Sequence, residues 1–121
     1  MSLLVIGSWL SIALTYAVGL GGLFATTKMA DTQNIKVGGP LALGELRTAL
    51  GSNFVVLATA LVYFRSAELF LIVTALWVAA TVVKIVSFFT ERPAASQAVV
   101  GIVVDVVMGL LAYCGYLAYS V

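Results

Sequence analysis

Apolar residues run almost unbroken through four stretches of the chain, residues 3–26, 41–64, 68–89 and 95–119, and polar residues gather between them. These runs show neither the strict alternation of a half-buried strand nor the wide polar face of a soluble helix. At about 1.5 Å per residue each is long enough to cross a hydrocarbon core of about 30 Å. Only helices suit such continuous spans, because every backbone polar group must find its partner within the segment. The connections are short. Residues 27–39 carry Lys28, Asp31, Lys36 and the Gly38-Gly39-Pro40 turn signal, Arg65-Ser66-Ala67 forms a tight hairpin, and Thr90-Glu91-Arg92-Pro93 forms the third link. Loops this short predict antiparallel neighbours. The expected fold is all-α, an integral membrane four-helix antiparallel up-down bundle, with residues 1–121 as one domain. The first span is expected to be retained rather than cleaved as a leader. It lacks a basic start, its apolar stretch is too long, and no small-x-small site ends it.

Composition strengthens this picture. Hydrophobic residues make up 63% of the chain and charged residues 9%, with a mean hydropathy of +1.17. A soluble domain of this length could not hide so much apolar surface. A net charge of +1 provides no electrostatic footprint for nucleic acid. The basic residues do set an orientation. Lys28, Lys36 and Arg92 flank one side, with Arg47 and Lys84 near it, and Arg65 stands alone on the other. Basic loops stay cytoplasmic, so both termini are expected outside.

The candidate chemistry lies in the charges inside the spans: Glu45, Arg47, Lys84 and Asp105. Charge in hydrocarbon is costly and is usually kept for a reason. Glu45 and Arg47 fall roughly 6–9 Å into the second helix, Lys84 about 8 Å from the end of the third, and Asp105 about 15 Å into the fourth. All four belong to the same half of the bilayer. Helical side chains lean toward their own N-terminus, so Lys84 and Asp105 tilt toward each other in antiparallel helices. A Lys84–Asp105 pair is expected, with Arg47 at a depth to share the carboxylate and Glu45 either joining Lys84 or facing the cytoplasmic mouth. Asn53 and Ser87 are supporting polar groups. The neighbouring faces suit close packing: Ala98, Gly101, Gly109 and Ala112 on the fourth helix, Trp77, Thr81, Ser87 and Phe88 on the third, Gly44 and Gly51 on the second, and Ser8, Ser11, Thr15, Gly19 and Gly22 on the first. The plainer reading is that the charges only lock helix register and exclude wrong packings. Glu45 also suits a helix N-terminus through the helix dipole. Tyr113, Tyr116 and Tyr119 read as an interfacial aromatic belt, and Cys114, the lone cysteine, as a small packing residue.

Other chemistry is missing. With no histidine and one cysteine the chain alone cannot supply ordinary haem, zinc, copper or iron–sulfur ligation, so no metal and no cofactor are expected. It holds no Ser-His-Asp set, phosphate-cradling loop or dinucleotide fingerprint, and no catalytic residue is assigned. A carboxylate–lysine pair can pass a proton, which leaves an intramembrane isomerase as a minor reading with Asp105 or Glu45 as acid and base.

Glu45-Leu46-Arg47 with Gly51, and Lys84-x-x-Ser87 followed by Thr90-Glu91-Arg92-Pro93-Ala94-Ala95-Ser96, Asp105 and Gly109, resemble a family of small bacterial four-helix integral membrane proteins of unknown function, distantly DoxX-like. That family typically has Arg-x-x-Ser in the third helix, an acidic-Gly-x-Pro turn, and Glu in the fourth helix. Here Lys84 stands for the Arg, Arg92 for the turn Gly and Asp105 for the Glu. Charge sign is kept, but the bidentate geometry of Arg is lost. The resemblance implies a bacterial cytoplasmic membrane and the bundle, and no substrate. The leading expectation for function is a non-catalytic accessory or assembly subunit of a larger membrane complex, with the bilayer, other membrane subunits or further copies of itself as partners. The alternative is a binder, carrier or channel for a lipophilic or protonatable small molecule, using the intramembrane charges.

Overall fold

The computed structural model describes residues 2–33, 35–92 and 95–120, and the described residues are helical with no strand. The helices are α1 (Leu3–Phe24), α2 (Thr26–Thr32), α3 (Pro40–Phe64), α4 (Ala67–Glu91) and α5 (Ala95–Tyr119). All except α2 are long and apolar enough to cross a membrane, consistent with a multi-pass membrane protein. The chain forms two compact units, one made of the residues up to Ser11 and those from Arg65 onward, the other of Ile12–Phe64.

Burial inverts the order of a soluble protein. Ser8, Ser11, Thr15, Thr26 and Asp105 are buried, while valines, leucines and isoleucines along α4 and α5 are exposed. In water this distribution would be unfavourable in both directions. With hydrocarbon as solvent it is the expected one, because polar groups seek the interior and apolar ones lose nothing outside. The polar stripe of α1 follows this rule: Ser8, Ser11, Thr15, Gly19 and Gly22, three or four residues apart, are all buried.

In the unit spanning Ile12–Phe64, the later part of α1 runs antiparallel to α3. Tyr16 Oη lies 2.7 Å from Thr59 Oγ1. Thr59 gives its one hydroxyl proton to the Val55 carbonyl at 2.8 Å, so Tyr16 is the donor to Thr59. Within the next two turns, Gly19 and Gly22 let the backbones meet. A Cβ on Gly19 would stand 2.8 Å from the Val55 nitrogen, and one on Gly22 would overlap the Leu50 carbonyl. The α3 backbone widens into a π-helical stretch at Thr48–Ser52, where Gly51 is buried against Leu23. Such a widened turn places an extra residue in the helix, and here it coincides with the closest backbone approach. Thr48 and Ser52 add bonds from their hydroxyls to the carbonyls of Gly44 and Thr48.

Two boundaries differ from the sequence reading. The first span ends at Phe24 rather than residue 26, and part of the expected loop is the helix α2. The chain bends at Ala25, and the Thr26 hydroxyl donates to the Gly22 carbonyl at 2.5 Å, tying the new helix to the old one. Met29 then covers Gly21. This polar helix has no apolar period to announce it. The third span runs two residues further than expected, to Glu91, and stops where Arg92 takes a left-handed conformation. Pro93 and Ala94 lie outside the described residues.

In the other unit, Ser66 caps α4 by accepting from the Leu69 amide at 3.2 Å. Arg65 lies over the Trp9 ring at 4.4 Å, and Gly7 receives Cys114, whose half-buried thiol acts as a packing group. Helices α4 and α5 meet antiparallel along a ladder with a seven-residue step on α4. Phe70 packs on Gly115, Trp77 on Gly109, and the Lys84 stem on Gly101. This spacing matches helices crossing at about +20°. Tyr119 stacks on Phe70 with ring centres 5.7 Å apart.

The glycine contacts predict a ranking. In Gly22→Ala the new methyl meets backbone that cannot rotate away, and a loss of about 2 kcal/mol or more is expected. In Gly115→Ala it meets the fully buried Phe70 side chain down to Cγ, which ring rotation does not move; the whole side chain has to shift, so the loss is smaller than against backbone and Phe70→Ala recovers part of it. Reversible unfolding in mixed micelles measures both, and equal losses would contradict the ranking.

Candidate functional site

The ladder ends in the ion pair. Lys84 Nζ stands 2.8 Å from Asp105 Oδ2, and it is the one ion pair among the described residues. Lys84 sits seven residues before the end of α4, about 10 Å along the axis, and Asp105 ten residues into α5, about 15 Å. The lysine stem covers the difference by leaning toward the N-terminus of its helix. The stem passes over Gly101, where a Cβ would lie 3.5 Å from Nζ, in ordinary contact.

The two partners are covered unequally. Asp105 is 3% exposed and Lys84 is 47% exposed. The carboxylate is thus enclosed, while nearly half of the lysine side chain, stem and ammonium together, is uncovered. An ammonium carries three N–H donors, and a carboxylate accepts up to about four bonds. One contact leaves capacity on both.

Beside the pair, α4 and α5 enclose a groove of about 250 Å³. Val78 and Val82 line it from α4, Val106 and Leu110 from α5, and the buried Asp105 and Gly109 form its floor. The threonines that also reach it are already engaged: Thr74 donates to the Phe70 carbonyl at 2.8 Å and Thr81 to the Trp77 carbonyl at 2.9 Å. The groove is therefore a greasy slot with one carboxylate at its base, and Tyr113 at its rim. It lacks the polar lining of a water-filled path.

The other residues singled out from the sequence lie elsewhere. Glu45, Arg47 and Asn53 are exposed side chains of α3, in the unit spanning Ile12–Phe64. Gly44, expected on an inward face with Arg47, is also exposed, with nothing within 4 Å of a Cβ placed there. Ser87 is half-buried on α4, one turn beyond Lys84. Of the supposed aromatic belt, Tyr119 packs on Phe70 and Tyr113 borders the groove. The contribution of Gly115, and of Phe70 opposite it, escaped the sequence reading. The seven-residue step Phe70, Trp77, Lys84 was the signal that could have found it. Among the described residues no group of His, Cys, Asp and Glu is placed to hold a metal ion.

Either single substitution strands a charge. Lys84→Met leaves a buried carboxylate and Asp105→Asn an ammonium in an apolar stretch of helix, and each is expected to cost about 2–3 kcal/mol. The double variant should recover most of the Lys84→Met loss. A double-mutant cycle on unfolding in micelles reads the coupling, and additive losses would show that the pair contributes nothing. Comparison of the chain with protein-family models, with curated proteins and with solved structures returned no match, so the reading of this site rests on its geometry.

Proposed function

We propose that this chain is a non-catalytic membrane subunit that assembles with other membrane proteins through the face of α4 carrying Lys84. One observation carries this reading: a lysine side chain 47% exposed, stem included, about 10 Å from the end of an apolar helix, with a single ionic partner. Helix α4 is the least covered of the four long helices. In hydrocarbon, the free N–H donors of Lys84 have no acceptor, and each unsatisfied polar group there costs several kcal/mol. A partner helix with a carboxylate, amide or hydroxyl at the same depth would satisfy them. The absence of a metal-ligating group among the described residues and of any catalytic constellation in the sequence fits a subunit that acts by binding.

The same proposal places the protein in a bacterial cytoplasmic membrane with both termini outside. Successive crossings alternate sides, so Lys28, Lys36 and Arg92 share the cytoplasmic face and Arg65 lies opposite.

Native mass spectrometry of the protein purified at its natural abundance in nanodiscs tests the role. Stoichiometric partner subunits are expected with wild type, and their loss with the charge-free Lys84→Met/Asp105→Asn variant. A lone monomer or a homo-oligomer would overturn the proposal.

A further inference from the structure

We infer that the groove between α4 and α5 binds a neutral lipophilic molecule through a hydroxyl group that donates to Asp105. The argument starts from what the groove offers. Its walls are exposed valines, Leu110 and Tyr113, and its threonine hydroxyls have given their protons to backbone carbonyls and can only accept. What remains for recognition at the base is a carboxylate, 97% buried by its 3% exposure, with Lys84 as its partner. A carboxylate only accepts, so the ligand must donate.

Charge then narrows the class. The Lys84–Asp105 pair is neutral as a unit. A cationic head group would leave a net positive charge in hydrocarbon, which is costly, and an anionic one would face the carboxylate directly. A ligand with only acceptors would leave the carboxylate unsatisfied. A hydroxyl adds a hydrogen bond to a charged acceptor without adding charge, the kind of bond that is stronger than a neutral one.

Size sets the fit. At about 250 Å³ the groove is smaller than a typical enclosed pocket of 300–1,000 Å³. It therefore takes the hydroxyl and the first carbons of a chain, and the remainder lies along Val78, Val82 and Leu110 toward the lipid. The chemistry is that of a long-chain alcohol or of the free hydroxyl of a glycerolipid. This inference concerns the carboxylate side of the pair and is independent of what covers the ammonium.

The test uses the purified full chain in phosphatidylcholine nanodiscs and a set of diazirine-bearing C16 probes: the alcohol, its methyl ether and its trimethylammonium analogue. Cross-linked residues are read by mass spectrometry. The alcohol is expected to label groove residues at least about tenfold more than either analogue, the ratio of a hydrogen bond to a charged group gained or lost. Val106→Trp, a change at an exposed wall position that leaves the ion pair intact, is expected to reduce alcohol labelling to the level of the ether. Unlabelled hexadecanol and dioleoylglycerol, added separately as competitors, tell a single-chain alcohol from a glycerolipid. Equal labelling by alcohol and ether, preference for the ammonium probe, or labelling unchanged by Val106→Trp would overturn the inference. Each result is read on the chain without partner subunits, so it stands apart from the outcome of the assembly test.

Discussion

Close backbone approach between antiparallel helices is the constraint on which this structure depends. In hydrocarbon, lipid tails are as apolar as leucine, so burying apolar area gives helices no reason to associate. Association has to come from close packing and from polar contacts. The chain provides the first with glycines that face either backbone, as Gly19 and Gly22 do, or a bulky side chain, as Gly101, Gly109 and Gly115 do. A methyl group at Gly22 would already overlap its neighbour. Ser66 caps α4, and Arg65 before it takes a left-handed conformation.

The ion pair depends on that packing. Phe70, Trp77 and Lys84 occupy equivalent positions on one stripe of α4, so the register set by two aromatic residues on two glycines also sets where the lysine arrives. It arrives beside Asp105 with its stem over Gly101 of the facing helix. The pair could be kept for register alone, since buried polar groups can exclude wrong alignments. Two features favour a further use: the uncovered part of the Lys84 side chain and the groove that Asp105 helps to line. A pair serving only register would be best with both ends covered and no space beside it.

Much of the architecture was legible without coordinates. The apolar runs marked the four long helices, because hydrocarbon demands unbroken apolar length of any span. The small and polar stripe of α1 marked its buried face, because only one face of a helix repeats every three to four residues. The lean of helical side chains brought Lys84 toward Asp105, because the direction of lean is a local property of the helix. Helix α2 and the π-helical stretch of α3 were not legible. The first has no apolar period, and the second goes with a close contact made by residues distant in sequence.

By itself the sequence determined the four long helices and where along each one a charge falls, since these follow from length, composition and the rise per residue. Only the tertiary structure decided which charge meets which and how much of each stays uncovered. Position along the helix is one coordinate of three. Rotation about the helix axis and the distance between backbones are set by which side chains face the glycines. That is why Lys84 and Asp105 are joined, why the carboxylate is enclosed while the lysine side chain is partly uncovered, and why Glu45 and Arg47 are exposed side chains of α3 in the other compact unit.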